Sequence, residues 1–329
     1  MDLLFTTRYK VNRIFSAVIS LITAFIGGAV AEGLRVAQIN GINTIPFIAA
    51  GIFILLNFYL TRKYRRRKKV LITPFPDEWE NKLSDKVMFY NRLNEDDRHL
   101  FRKKVQLFLD EVRITGVRAP DSSSDNNSGV RAPVDDDLKI LIAAAAVIPV
   151  FRIPDWEYDM LDEVLVYPGN FDEDFNFSGS RRDILGMVVS RTSSVIISQE
   201  ALVSGFARND GENVALHEFM HKIDEGDGQI DGIPALFLSA DEQVYWKQVV
   251  EDEMELLIHG GSDFNPYALK DRGEFFAVAG EYFFEKPQRM KEKHPSLYKI
   301  MCRMFRQDLA SAIVDETKKS LGIRTLRKK

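Results

Sequence analysis

Apolar positions follow three rhythms along this chain of 329 residues. Ile14 to Ala31 and Ile45 to Leu60 are runs without a single charge. From Phe75 to Arg113, Leu83, Val87 and Tyr90, then Leu100, Val105, Leu107 and Phe108, recur at the spacing of helix faces. Asn94 before Glu95, Asp96 and Asp97 suits a helix start, where side-chain oxygen and negative charge meet unpaired amides. Leu138 to Ile148 is Ala-rich and apolar throughout, which predicts a buried core helix ended by Pro149. Val164 to Tyr167, Leu185 to Val189 and Val195 to Ile197 are short β-branched runs separated by Pro, Gly, Asp and Ser, and they predict a small sheet. Past Asp210 the helical spacing returns over Asn213 to Asp224, Trp246 to Ile258, Gly273 to Glu285 and Ser296 to Leu309. The pattern predicts an α+β chain, mainly helical with a small β-sheet, preceded by two transmembrane helices.

The membrane reading rests on length and flanks. The first run approaches the ~20 residues that cross a bilayer core; the second is shorter and carries Pro46 and Asn57. Arg62, Lys63, Arg65, Arg66, Arg67, Lys68 and Lys69 follow the second run, Arg8, Lys10 and Arg13 precede the first, and only Glu32 and Arg35 are charged between them. The positive-inside bias then predicts a hairpin with both ends in the cytoplasm, a lipid bilayer as partner, and residence in a bacterial inner membrane. A signal-peptidase site at Ala29-Val30-Ala31 and a pair of buried soluble helices are the alternatives. The net charge of -4 hides a basic first part and an acidic remainder, an asymmetry that points to a membrane surface and away from direct nucleic-acid binding. The single cysteine, Cys302, excludes an intrachain disulfide and fits a reducing compartment. The organisation expected is an anchor over 1–72 (helices 14–31 and 45–60, basic cluster 62–69), a catalytic domain over 73–317, and a basic tail over 318–329. Within the domain, Ala119 to Asp137 is rich in Ser, Asn, Asp and Pro and predicts a flexible insertion, bracketed by two copies of Gly-Val-Arg-Ala-Pro.

Candidate chemistry gathers in the later helices. His217-Glu218-Phe219-Met220-His221 sets two imidazoles at i and i+4, one above the other, so both can reach one ion, with a glutamate beside them to serve a metal-bound water. Zinc (Zn2+) lowers the pKa of such a water to about 7, and a carboxylate can then take its proton during attack on a carbonyl. A third ligand is still needed. Asp227 stands where one zinc-peptidase pattern places its ligand, but Asp224 occupies the position that pattern gives to glycine, which leaves Asp227 a weak candidate. The segment Gly273 to Glu281 offers Glu274 and Glu281, seven apart on one helix face, and two aligned carboxylates among apolar residues need compensation by something positive or hydrogen-bonding.

The helix Asn213 to Asp224, the turn Asp227-Gly228-x-x-Asp231-Gly232-x-Pro234 and the helix Glu274 to Glu285 resemble the Mlc titration factor A family. The resemblance runs from about Phe75 to Asp308. It includes Phe89-Tyr90-x-x-Leu93, Leu141 to Ala144, Val164 to Pro168 and Phe305 to Asp308. It implies a gluzincin-type zinc peptidase with a zincin-like fold similar to the catalytic domain of anthrax lethal factor. It further implies His217, His221 and Glu274 as metal ligands, Glu218 as the base and Tyr267 as the hydroxyl that steadies the oxyanion. Glu281, and similarly Asp224, is expected to support a ligand histidine from behind. The hairpin and the 119–137 insertion depart from the family's soluble members.

The function expected is a membrane-tethered, cytoplasm-facing zinc peptidase acting on a peptide or protein substrate, with Val164 to Tyr167 at the cleft edge pairing with an extended peptide. The alternative is a slow or non-catalytic zinc domain that binds and sequesters a transcriptional repressor. Proteolysis inside the bilayer is excluded by the distance of the metal motif from either apolar run.

Overall fold

Polar residues that favour helix starts stand where the apolar rhythm begins. The side chains of Asn94, Ser198, Asn213, Ser239 and Asp271 each accept from the backbone N–H three residues on, and a helix follows each one. Ser239 and Glu242 cap reciprocally. The computed structural model describes residues 7–36, 45–118, 130–154, 156–172 and 184–311. They divide into two units that part between Pro74 and Phe75.

The first unit holds α1 (Thr7–Val36), α2 (Ile45–Leu60) and α3 (Arg62–Ile72). α1 packs on α2 through a polar seam: Asn57 Nδ2 donates to Ser16 Oγ at 3.1 Å and to Ser20 Oγ at 3.3 Å, and both serines are buried. The expectation of transmembrane helices at 14–31 and 45–60 is corrected here, because among the described residues no helix is long and apolar enough to cross a membrane. α2 has 16 residues, about 24 Å of helix against the ~30 Å of a hydrocarbon core. α1 is long, at 30 residues, but Arg8, Lys10, Arg13, Glu32 and Arg35 all fall within it. The bilayer as partner loses its support with them.

The second unit holds α4 (Asp77–Lys86), α5 (Met88–Asn91), α6 (Glu95–Glu111), β1 (Arg113–Arg118), β2 (Val130–Ala132), α7 (Asp136–Val150), β3 (Glu163–Tyr167), β4 (Gly186–Val189) and β5 (Ser194–Ser198). α8 (Gln199–Ala207), α9 (Val214–Asp224), α10 (Ala240–Ile258), α11 (Arg272–Glu285), α12 (Pro287–Lys293) and α13 (Pro295–Phe305) complete it. The strands order as β2-β1-β3-β5-β4, with β1, β3 and β5 parallel and the two outer strands antiparallel. On one face Val164, Val166, Val195 and Ile197 join the main helical core. On the other, Val117, Tyr167, Phe171 and Ile196 form a smaller apolar cluster. Burial on both faces accounts for the unbroken apolar character of β3 and β5. It also corrects the placement of Val164 to Tyr167 at the cleft edge: β3 has β1 on one side and β5 on the other, and the strand with an open side next to α9 is β4.

The two Gly-Val-Arg-Ala-Pro copies face one another. Gly116 pairs with Ala132, Val117 with Arg131 and Arg118 with Val130. Of the expected insertion, residues 130–132 are thus strand and Asp136 opens α7, while 119–129 lie outside the described residues, as does the tail at 318–329. α7 is buried at every residue from Ile140 to Val150, continuing past Pro149 by one position. Around it pack α4, α6, α8 and α9, and this arrangement fixes the floor on which the next elements stand.

Candidate metal centre

Leu216, Phe219, Met220 and Ile223 turn one side of α9 into the core, all of them buried. His217 and His221 are left one turn apart on the side facing α11. The helices approach closely because Gly280 of α11 lies over Met220; a Cβ there would stand 2.5 Å from Met220 Cε. At this separation, His217 Nε2 and His221 Nε2 are 3.1 Å apart, and Glu274 Oε2 lies 2.9 Å from the first and 3.2 Å from the second. The ligand atoms of His217, His221 and Glu274 fall within 4.8 Å of one another, the one such group among the described residues. Two imidazole nitrogens and a carboxylate oxygen aimed at one point, two residues half-buried and one buried, fit a divalent metal with room for a further ligand.

His217 and Glu274 are held from behind, whereas His221 is not. Glu281 Oε1 lies 2.7 Å from His217 Nδ1, which leaves Nε2 to face the metal position, and its Oε2 accepts the Asn213 amide at the start of α9. Glu285, one turn further, accepts from Gly211 N at 2.8 Å and from Asn213 Nδ2 at 3.1 Å. Glu274 divides its oxygens: Oε2 faces the histidines, while Oε1 accepts from the Tyr267 hydroxyl at 3.0 Å and from the Lys270 ammonium. Lys270 also reaches the Tyr267 oxygen at 3.1 Å. On the far side of the pair, His221 Nδ1 and Asp224 Oδ1 are buried with no hydrogen-bond partner among the described residues. Asp224 uses its other oxygen for the Gly232 amide at 2.7 Å, in the turn that leaves α9. Asp227 lies in the same turn, accepts from Gln229 N at 3.1 Å and is not one of the converging group.

The electrostatics follow from this crowding. Burial works against a charge on His217, but its hydrogen bonds to Glu274 and Glu281 outweigh it and, in the metal-free chain, hold its pKa above the usual imidazole range. For Glu274 burial is likewise outweighed, by His217, His221 and Lys270, and its carboxyl is held far below the usual range. Glu218, 4 % exposed, is pushed up to about 7 by burial, with His217 and His221 opposing. Burial raises the Tyr267 phenol as well. A cleft of about 680 Å³ opens beside these groups, and His217, Glu218 and Tyr267, Gly186 at the start of β4 and Leu185 before it are among the residues that line it.

The geometry brings His217, Glu218, His221, Glu274, Glu281 and Tyr267 to one place, and sets Asp224 at its margin. Three contributors escaped sequence reasoning. Lys270 carries a local signal, standing four residues before Glu274 on the same face. Glu285 extends the spacing of Glu274 and Glu281 by one more turn. Gly186 has no signal in the sequence, since its contact crosses from a strand to a helix.

A family model described as glucose-regulated metallo-peptidase M90 matches residues 61–306. An uncharacterized protein of Synechocystis, slr2042, is 29% identical over 259 residues, covering 73% of this chain and 87% of that protein. Mlc titration factor A of Pectobacterium atrosepticum is 29% identical over 187 residues, 53% of this chain and 69% of its own. Its counterpart in Klebsiella pneumoniae is 24% identical over 244 residues, 70% of this chain and 86% of its own.

Proposed function

The chain belongs to the glucose-regulated metallo-peptidase M90 family, and we propose that it is a zinc peptidase in which His217, His221 and Glu274 hold the metal. The observation that carries this reading is the convergence of the three ligand atoms beside the helix that carries the buried Glu218, with His217 and Glu218 both lining the cleft. Zinc suits nitrogen and carboxylate donors and, when bound, supplies an acidified water and polarises a carbonyl. Glu218, whose carboxyl burial raises above the usual range in the metal-free chain, is assigned the task of accepting a proton from water and returning it to the departing amine. On this reading the Tyr267 hydroxyl turns its one proton away from Glu274, whose Oε1 Lys270 continues to hold, and donates it to negative charge developing on the carbonyl oxygen. The open side of β4 offers backbone groups to an extended peptide lying across the cleft. Glu281 keeps His217 in the tautomer that presents Nε2.

The test is zinc content and peptide cleavage on the full chain, native and Glu218→Gln. The expected outcome is near-stoichiometric zinc in both and a rate about 10²- to 10⁴-fold lower in the variant. Equal rates at equal zinc would reject Glu218 as the base. A second reading, sequestration of a transcriptional regulator, draws on the name Mlc titration factor A carried by relatives. Zinc in the native protein without cleavage of any peptide would favour it.

A further inference from the structure

Gly186 opens the strand that faces α9, and its backbone is not in the left-handed region that favours glycine. Space is what the position lacks. A Cβ at residue 186 would stand 2.5 Å from Glu218 Oε1, 2.8 Å from Glu218 Cγ and 2.8 Å from Val214 Cγ1, where unstrained carbon contacts sit at about 3.5–4.0 Å. Relief requires these side chains to move into the cleft that both of them line. Glu218 is 4 % exposed, with the histidine pair on its own helix and the sheet edge before it, and Val214 sits in the first turn of α9, pinned by the Asn213 cap. Gly186 is in turn fixed from behind, since it is registered against Ile197 of β5.

We infer that Gly186 is a positioning residue: the absence of a side chain at this point of the sheet edge sets where the Glu218 carboxyl stands. The strand that borders the cleft and the group assigned as base are therefore coupled through one contact between a backbone and a side chain. A methyl group at 186 drives the carboxyl along α9 and away from its place, and misplacement on the order of 1 Å is enough to cost about 10²-fold in rate. No metal ligand is among the three atoms nearest a Cβ at 186, so metal binding is expected to be spared. The rate consequence rests on the peptidase reading; the contact itself does not.

The experiment is a double-mutant cycle on the full chain, combining Gly186→Ala with Glu218→Ala, with Val188→Ala on the same strand as control. In the metal-free protein, Gly186→Ala is expected to lower Tm by about 3 °C or more, and by less than half as much in the Glu218→Ala background, because the larger part of the clash has gone. Equal Tm losses in the two backgrounds would overturn the inference, as would a Gly186→Ala protein that fails to fold and is not restored by Glu218→Ala. In the zinc-loaded protein, Gly186→Ala is expected to lower kcat by about 10²-fold at unchanged KM and zinc content, with part of the rate restored by Val214→Ala. Native kcat in Gly186→Ala would also overturn it. Coupled Tm values together with a native protein that cleaves no peptide would leave the Gly186 contact standing and the peptidase reading refuted.

Discussion

The two sides of α9 hold their functional groups in different ways. Toward α11, all but His221 are tied from behind by hydrogen bonds: Glu281 to His217 and the Asn213 amide, Glu285 to Asn213 and Gly211, Glu274 to Tyr267 and Lys270. Toward β4, Glu218 is bounded by the Gly186 backbone and the Val214 methyl groups, a matter of shape. Ligands that must bring lone pairs to one point gain from directional bonds, which fix a ring or carboxylate in angle as well as distance. A base that must exchange a proton gains from a tight, dry seat that raises its pKa, and few directional partners are needed for that. Damage to the α11 side should therefore appear in metal affinity, and damage to the β4 side in rate alone.

Tyr267→Phe gives the largest effect and marks the limit of this division, because its hydroxyl is tied to a ligand yet is assigned a task toward the substrate. It removes a donor to the carbonyl oxygen and is expected to lower kcat by about 10²- to 10³-fold with zinc retained, measured by steady-state cleavage at known zinc content. Glu281→Ala comes next. Loss of the bond behind His217 is expected to weaken zinc binding by about 10- to 100-fold in a chelator competition, with activity restored at excess zinc. A rate loss that excess zinc does not restore would break the division. The smallest effect concerns Glu285, whose carboxyl burial pushes up to about 7 from the ordinary 4.5. Between those values the folded protein holds a proton that the unfolded chain gives up, so this group's contribution to stability declines as pH rises from about 4.5 through about 7. Glu285→Gln is expected to flatten the Tm profile of the metal-free protein by a few °C between about pH 5 and about pH 8.

What the sequence discloses tracks how local each cause is. His217 and His221 are legible because one turn of helix brings them together, and Glu274 and Glu281 because a spacing of seven shares a face. β3, β4 and β5 could be read as strands from their β-branched runs, but the order of strands is decided by partners far away in the chain. β3 was accordingly placed at an edge when it is central. Its near-continuous apolar character was itself the sign of a strand covered on both faces. The hairpin segments misled in the opposite way: an uncharged run records that a helix avoids charge, and says nothing of Asn57 meeting Ser16 and Ser20 in a seam between two helices. Gly186 was illegible because a residue without a side chain announces nothing about who approaches it.

The buried α7 has a consequence for how the domain comes apart. From Ile140 to Val150 it has no face for water, so it gains nothing as a helix until neighbours enclose it. Those neighbours come from both directions along the chain, α4 and α6 before it and α8 and α9 after it. Neither half can release α7 while the other keeps it. The helix that carries both histidines is one of these enclosing walls, and its order is joined to that of segments more than a hundred residues earlier. The histidine helix is then expected to lose order together with the core helix that it encloses.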